Sequence, residues 1–420
     1  MTAESQNKKT PLVSALLQSG MIFTAISFAT SLGNLWFQRV LGLGLTKQGD
    51  YGNANSAIGS LIPLLGLLPA AASIAVTHYV AHFKQSGDQA HLRGLLLGCR
   101  KFLFQLTVVG TVITLIVIKP VTHHFFGDNQ SMMLAVLIAT LFNLWSAFAI
   151  ALCSGLGWFK RLALIGFLAM LLKVALGWLF TRYWSAAAMT VLATAFALLA
   201  NLILLYWRND LKLSGEPISP WNRDFIQFFV VSMAFAVGFY CFFQGDLLIA
   251  QHYFPGARCD DFSAVGILAR ALPTTIAPLL AVLFTSRSGE QAGGVVKEQL
   301  KLLGLSGVGL VCGAVGLVLL RTIGLKAIHR NTLEAATYVA PFAATMVFIG
   351  LLQSLAFWAL ASRWLKISIL YGVLGVAYWL VLLLVGKTPE ALLHAMPIAA
   401  GIAFAVMLAA WLLAMRQQSK

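Results

Sequence analysis

The chain has 420 residues, of which 59% are hydrophobic and only 10% are charged, and its formal net charge is +15. A soluble domain is about 45–50% apolar and about 25% charged, whereas the mean hydropathy here is +0.84. This composition excludes a water-soluble protein and a soluble enzyme with a single membrane anchor. It also excludes an outer-membrane barrel, whose strands alternate apolar and polar residues and do not give long apolar runs.

A helix needs about 20 apolar residues to cross a hydrocarbon core about 30 Å thick. Apolar runs separated by charged or turn residues predict twelve such helices. We interpret the first run as a retained helix, because it is too long for the apolar part of a signal peptide. The runs lie at residues 12–42, 51–82, 92–118, 130–154, 159–180, 184–207, 223–254, 260–286, 296–320, 334–361, 365–386 and 391–414.

An even number of spans places both termini on the same side of the membrane. The segments on that side hold 18 of the 29 basic residues, and the opposite side holds 9. Because basic residues favour the cytoplasmic side, we expect both termini in the cytoplasm. This topology accounts for most of the positive charge, so we expect no nucleic-acid partner.

The longest connection, at residues 208–223, is polar and contains two prolines. It predicts two six-helix bundles, residues 1–210 and 211–420. The first helix of each half is followed by an acidic residue and an aromatic one, Asp50-Tyr51 and Asp261-Phe262. We therefore expect the two bundles to be pseudo-symmetric.

The next helix in each half carries a pair of prolines. Proline-interrupted helices at matching places in two halves indicate the substrate site of a transporter. Proline is also commoner in membrane helices than in soluble ones, which leaves a structural role open. We expect helix breaks with a gating role at four positions: Pro63, Pro69, Pro273 and Pro278.

Three ionisable residues deep inside predicted spans stand out, because insertion of a charge there costs about 2.5–3.5 kcal/mol. Asp246 and Arg270 each lie nine residues from one hairpin turn, so both sit about 14 Å below the outer surface and can meet. Lys173 lies at a similar depth, about 12 Å. One interpretation is a structural ion pair with a snorkelling lysine. The other is a hydrated central cavity whose net positive ring attracts an anionic group such as a diphosphate.

Other polar residues are weaker candidates for the same cavity. Span one carries Asn34 and Gln38, with Arg39 near its outer end, and span seven carries Gln244 and Gln251. Each of them can supply hydrogen bonds to a substrate.

The sequence offers little for metal binding or catalysis. His78 and His82 are four residues apart on one helix face, but no third ligand is near them in the sequence, so we expect no metal. No Ser/His/Asp or paired-carboxylate arrangement is present among the 14 acidic residues. We therefore expect a protein that is not an enzyme.

Two segments resemble the Wzx-type polysaccharide flippases, which belong to the multidrug/oligosaccharidyl-lipid/polysaccharide (MOP) exporter superfamily. Residues 50–84 begin with a Tyr-Gly pair and end in a threonine-x-aromatic-valine-alanine pattern at 77–81. Residues 244–289 carry the intramembrane Asp246 and Arg270, the aromatic Phe262 and a Leu-Phe pair at 283–284.

The resemblance implies two six-helix bundles around a central cavity that opens alternately to cytoplasm and periplasm, lined by helices one, two, seven and eight. The implied substrate is an undecaprenyl-diphosphate-linked oligosaccharide, moved across the bacterial inner membrane for O-antigen, capsule or exopolysaccharide assembly. A polysaccharide polymerase and chain-length machinery are the implied partners. Arg270 would hold the diphosphate, while Asp246 would orient Arg270 or respond to H⁺ or Na⁺. No other cofactor is expected.

Three alternatives remain. A small-molecule antiporter of the multidrug-extrusion (MATE) branch shares the fold, but organic cations call for an acidic cavity. A lipid II flippase has a similar architecture, usually with two extra helices. A membrane glycosyltransferase or polysaccharide polymerase typically needs larger outer loops than this chain has.

Overall fold

The protein is described by a computed structural model that covers residues 12–126, 129–184, 186–206, 216–219, 222–254, 256–287, 296–330 and 332–418. These residues form helices and contain no strand. The helices are α1 (Leu12–Gly44), α2 (Asp50–Ser56), α3 (Ile62–Leu65), α4 (Leu67–Ser86), α5 (Gln89–Phe126), α6 (Gln130–Gly155), α7 (Phe159–Trp184), α8 (Ala187–Tyr206), α9 (Arg223–Phe243), α10 (Gly245–Tyr253), α11 (Ala257–Arg287), α12 (Val296–Leu319), α13 (Arg321–Ala327), α14 (Leu333–Ala361), α15 (Leu365–Val385) and α16 (Pro389–Gln418).

All twelve predicted apolar runs fall on helices. Within the residues that the structure describes, eight helices are long and apolar enough to cross a membrane, and ten spans result if each of two bent pairs is one span. The two remaining runs lie on α1 and α11, which have 33 and 31 residues. The predicted all-α polytopic membrane fold is therefore confirmed.

The chain reverses direction with each span, so the helix ends form two faces. We call the face with the start of α1 and the end of α16 the terminal face. The distal face carries the end of α1 and the start of α11. The orientation of these faces relative to the cytoplasm remains a prediction.

The second span is broken where its prolines predict. A π-helical turn at Ala57–Leu61 precedes α3, and the chain then bends by 63° at Gly66 before α4. Pro63 and Pro69 have no N–H to donate to the preceding turn, which accounts for the irregular hydrogen bonding on both sides of Gly66.

In the C-terminal half, the prediction of the break is wrong. Helix α11 runs from Ala257 to Arg287 without interruption through Pro273 and Pro278. One proline removes one main-chain hydrogen bond, and the turns on either side hold the helix together. The break lies instead in the preceding span, at Gln244 between α9 and α10.

The described helices pack as an N-terminal half (α1–α8) and a C-terminal half (α9–α16). Between the halves, α1 packs on α11, α4 packs on α9, and α2 packs on α10 and α11. The first span of each half thus meets the second span of the other, as a two-fold relation between the halves requires. The predicted boundary at residue 210 lies outside the described residues, so the domain limits remain a prediction.

Helices α9 and α15 are in main-chain contact. A Cβ atom added to Gly375 would lie 2.5 Å from the Cα of Gly238, and one added to Gly372 would lie 2.5 Å from the carbonyl oxygen of Ala234. Small residues at such a contact let two membrane helices approach closely and gain dispersion energy.

We expect Gly375→Val to destabilise the protein by about 1–3 kcal/mol, because the new side chain forces α9 and α15 apart. Thermal unfolding of the purified protein in detergent measures this as a lower midpoint. The control is Gly316→Val on α12, where an added Cβ meets no atom within 4 Å. Equal midpoints for the two variants would contradict the close contact.

Candidate functional site

The break between α9 and α10 exposes main-chain carbonyls that side chains from other elements bind. Arg270 Nε donates to the carbonyl of Phe243 at 2.7 Å, and Ser60 Oγ donates to that of Gln244 at 2.6 Å. Trp379 Nε1 donates to the carbonyl of Gly245 at 3.2 Å. An unpaired carbonyl at membrane depth costs several kcal/mol. Three consecutive carbonyls are therefore satisfied by α11, the π-helical turn of the N-terminal half, and α15.

Asp246 and Arg270 form a buried ion pair beside this break. Arg270 Nη2 donates to Asp246 Oδ1, which also accepts from the amide of Leu247 at 3.0 Å. The Asp246 side chain is 1% exposed and that of Arg270 is 10% exposed. Among the described residues, Asp246 Oδ2 and Arg270 Nη1 have no hydrogen-bond partner. One donor and one acceptor of the pair are thus unused.

Gly266 makes room for the unused arginine nitrogen. A Cβ at this position would lie 2.6 Å from Arg270 Nη1 and 3.4 Å from the Phe342 ring. Gly266 lies one turn before Arg270 on α11, so the absence of a side chain there lets the guanidinium fold back along its own helix.

A second polar cluster joins the two halves at the distal face. The carboxylate of Asp260, in the first turn of α11, accepts from the amides of Gly52 at 2.6 Å and Gly49 at 3.0 Å. Gly49 has φ 89°, a left-handed conformation that favours glycine. Arg330 Nη1 lies 3.4 Å from the Asp260 carboxylate, and its guanidinium carbon lies 4.6 Å from the Tyr51 ring centroid. A carboxylate of one half thus binds the start of α2 in the other.

Amide side chains continue these contacts below the cluster. Gln251 Nε2 donates to Asn53 Oδ1 at 2.6 Å, and Cys259 Sγ lies 3.1 Å from Gln251 Oε1. Within the N-terminal half, Gln38 Nε2 donates to Asn55 Oδ1 at 3.0 Å. Cys259 is fully buried between the halves.

The terminal face has its own contact between the halves. Arg363 donates to His78 Nε2, with distances of 3.0 and 3.2 Å from Nη2 and Nε. The His78 ring stacks on Phe228 at a centroid distance of 4.4 Å, and Tyr79 packs on Phe225 at 5.0 Å. His78 Nε2 therefore binds a guanidinium, and no group of three metal-ligating side chains is found in the described part of the chain.

Helix α1 carries a stripe of polar residues along one side. Gln38 is buried at the distal end of this stripe, while Asn34 one turn earlier is exposed. Residues at spacings of three and four share a helix face. The stripe consists of Ser27, Thr30, Ser31, Asn34 and Gln38.

The structure brings together only part of the predicted site. Asp246, Arg270 and Gln244 lie at the break, while the ring of three charges remains a prediction. Lys173 is on α7, which packs mainly on α1, α6 and α8, and its Nζ lies 4.2 Å from the Phe37 ring centroid. Arg39 is exposed at the distal end of α1 and donates to the carbonyl of Ala327 at 3.3 Å. The geometry assigns no substrate to any of these residues, so their binding roles remain predictions.

Sequence reasoning missed two contacts that join the halves, those made by Asp260 and by Arg363. It singled out Asp261, whose carboxylate accepts from Thr332 at 2.8 Å inside the C-terminal half, rather than the neighbouring Asp260. It treated His78 only as a metal candidate. Two adjacent acids at the start of a span were the available signal for the distal cluster.

No protein-family model matches this sequence, and no curated protein matches it. Solved structures match its fold. The lipid II flippase MurJ in an inward closed conformation gives a TM-score of 0.68 at 12% identity, over 93% of this chain and 87% of that one. The MATE multidrug transporter DinF-BH gives 0.70 at 13% identity, over 97% of both chains. A MOP superfamily transporter from Pyrococcus furiosus gives 0.65 at 11% identity, over 94% of this chain and 95% of that one.

The chain has the fold that these solved structures share. The predicted MOP-like or MATE-like architecture is therefore confirmed, and identities of 11–13% carry the comparison no further than the fold. Within this MOP fold, the broken second and seventh spans face each other between the halves, with the Asp246–Arg270 pair beside them. The Wzx-type assignment remains a prediction.

We expect Asp246→Asn to cost about 3–5 kcal/mol of stability, because it leaves the buried guanidinium without its counter-charge. The double variant Asp246→Asn/Arg270→Gln should recover part of this loss, since no unpaired charge remains. Thermal unfolding in detergent measures both. The control is Arg258→Gln, which breaks the Arg258–Glu334 pair with side chains 61% and 43% exposed and should cost less than about 1 kcal/mol. A single Asp246→Asn effect as small as the control's would contradict the buried pair.

We expect Asp260→Ala to open the distal face, because it removes the acceptor for the amides of Gly49 and Gly52. Cys259 reports the opening through its reaction with a membrane-impermeant maleimide, read by peptide mass spectrometry. Because the lost hydrogen bonds are to a charged group, the labelling rate of Cys259 should rise about tenfold or more. The control is Asp261→Ala, whose described hydrogen-bond partner Thr332 lies in the same half. Equal labelling in the two variants would show that Asp260 does not close this face.

Proposed function

We propose that this protein is a flippase that moves undecaprenyl-diphosphate-linked oligosaccharides across the bacterial inner membrane, with both termini in the cytoplasm. The product would feed O-antigen, capsule or exopolysaccharide assembly, and a polysaccharide polymerase with its chain-length machinery would be the functional partner. The MOP fold supports transport as the activity, since the three matched structures are all named as flippases or transporters.

One observation carries the choice of an anionic headgroup. Arg270 is buried at membrane depth beside a broken helix, and its Nη1 has no partner among the described residues. A guanidinium is always charged and presents its donors in a planar fork that matches phosphate oxygens. The unused Nη1 is buried in this structure. In the proposed mechanism it becomes a donor to a diphosphate when the two halves separate, while Nε and Nη2 remain bound to protein.

The neighbouring residues supply the rest of the proposed mechanism. Asp246 holds Nη2 and so orients the guanidinium. The polar stripe of α1, with the exposed Asn34, offers hydrogen bonds to sugar hydroxyls along the face that packs between the halves. The polyprenyl tail stays in the lipid, because it is a hydrocarbon chain. Coupling to H⁺ or Na⁺ would act through Asp246, whose Oδ2 is unused.

Two alternatives share the MOP fold. The likeness to DinF-BH, with a TM-score of 0.70, favours a small-molecule antiporter, for which the buried Asp246 would bind an organic cation. The likeness to MurJ favours a lipid II flippase. Arg270 neutralises Asp246 in this structure, which favours an anionic substrate over a cationic one.

The test is the amount of undecaprenyl-diphosphate-linked glycan on each membrane face of cells that depend on this protein. An impermeant glycan-oxidising label applied to intact spheroplasts measures the outer pool. We expect Arg270→Ala to retain glycan on the inner face and Arg270→Lys to restore part of the transfer, because lysine keeps the charge but not the fork.

Protein folding is checked by the thermal midpoint, with Arg258→Gln as the control that should transfer normally. Normal transfer in folded Arg270→Ala and in Asp246→Asn would reject the site. Altered glycan length with normal transfer would favour a polymerase. Loss of cation efflux with normal glycan transfer would favour the antiporter.

A further inference from the structure

A short helix crosses the distal end of α1 near the plane of the membrane surface. Helix α13 (Arg321–Ala327) follows α12 after a bend of 77°. Because α12 is a membrane span, this bend turns α13 parallel to the surface. Leu319, Leu320 and Ile323 around the bend are 57–76% exposed, as expected for apolar side chains at a lipid interface.

Arg39 interrupts the lipid-facing stripe of α1. The apolar members of the stripe are about half exposed, and they recur at spacings of three and four residues along the helix. Arg39 lies five residues before the helix end at Gly44, about 8 Å below it, which is the depth of the headgroup region. The stripe consists of Phe28, Leu32, Trp36, Arg39 and Leu43.

The two helices are held together by main-chain contact. A Cβ added to Gly42 would lie 2.3 Å from the carbonyl oxygen of Ile328, directly after α13. Arg39 Nη1 donates to the carbonyl of Ala327 at 3.3 Å. The exposed Lys326 directly precedes Ala327, so Arg39 of one half binds the residue next to a lysine of the other half.

The positive charge at this place is not neutralised. Arg39, Arg321 and Lys326 are exposed, and none of them has a carboxylate partner among the described residues. The nearby Arg330 differs, because it binds Asp260. The distal face is predicted to lie outside, where basic residues are disfavoured, so this concentration of cations requires a separate physical reason.

We propose that Arg39 and Lys326 bind the phosphate of an anionic phospholipid in the distal leaflet. The guanidinium donors not used by Ala327 and the ammonium of Lys326 converge on one phosphate group. The acyl chains lie along the exposed stripe of α1 and against Ile323. Since Arg39 belongs to the N-terminal half and Lys326 to the C-terminal half, the bound lipid links the halves at the distal face. This site does not depend on the proposed substrate.

The test measures lipid binding directly. The purified full-length protein is placed in phosphatidylcholine nanodiscs with increasing amounts of phosphatidylglycerol, and the phosphatidylglycerol that stays bound is counted by native mass spectrometry. We expect Arg39→Gln/Lys326→Gln to weaken the tightest phosphatidylglycerol site about tenfold or more, since each interfacial cation contributes to anionic lipid attraction. Arg39→Lys should keep most of the affinity.

The control is Arg182→Gln/Lys387→Gln, which removes two other exposed charges at the distal ends of α7 and α15. We expect it to leave the tight site unchanged. Equal losses in the two double variants would show general charge attraction without a built site, and would overturn the proposal. No loss in Arg39→Gln/Lys326→Gln would overturn it as well. The lipid site is judged by the bound phosphatidylglycerol alone, and glycan transfer in these variants is not used to judge it.

Discussion

The hydrogen bonds to three consecutive carbonyls stabilise the break between α9 and α10, and the one from Ser60 joins the two halves. At membrane depth water does not satisfy a freed carbonyl, so the break exists only where other elements supply donors. Arg270, Ser60 and Trp379 supply them from α11, the second span and α15. Because Arg270 Nε donates to the Phe243 carbonyl, the other end of the guanidinium points at Asp246. The helix break and the buried ion pair are therefore one structural unit.

The two halves are in contact at both faces of the protein, but by different physical means. At the distal face a carboxylate binds two main-chain amides at the start of a helix, an arrangement that favours negative charge. At the terminal face aromatic rings stack around the His78–Arg363 hydrogen bonds. The proposed transport requires one of these contacts to break while the other holds. An equilibrium between two such states shifts with any ligand that binds them unequally.

The arginines show how environment decides what a cation does. Arg270 is buried and neutralised by Asp246, and Arg330 is neutralised by Asp260 at the junction of the halves. Arg363 has the Nε2 of His78 as its hydrogen-bond acceptor instead of a carboxylate. Arg39 is exposed, donates to the main-chain carbonyl of Ala327 and lies 5.9 Å from the Trp36 ring centroid. Their net charge is the same, and the available counter-charge differs.

The sequence by itself located the apolar helices, because apolar length is a local property of the chain. It also predicted that Asp246 and Arg270 meet, since both lie nine residues from the same hairpin turn. It misplaced the second break at Pro273 and Pro278, because a break is set by donors from distant helices as well as by local breakers. It grouped Lys173 with Asp246 and Arg270 because all three lie at a similar depth in the membrane. Depth does not specify the direction in which a side chain points around its helix axis. The contacts of Asp260 with Gly49 and Gly52, and of His78 with Arg363, join residues more than 200 positions apart. Only the packing of the two halves decided these partners, since no local period specifies which distant group will satisfy a buried polar atom.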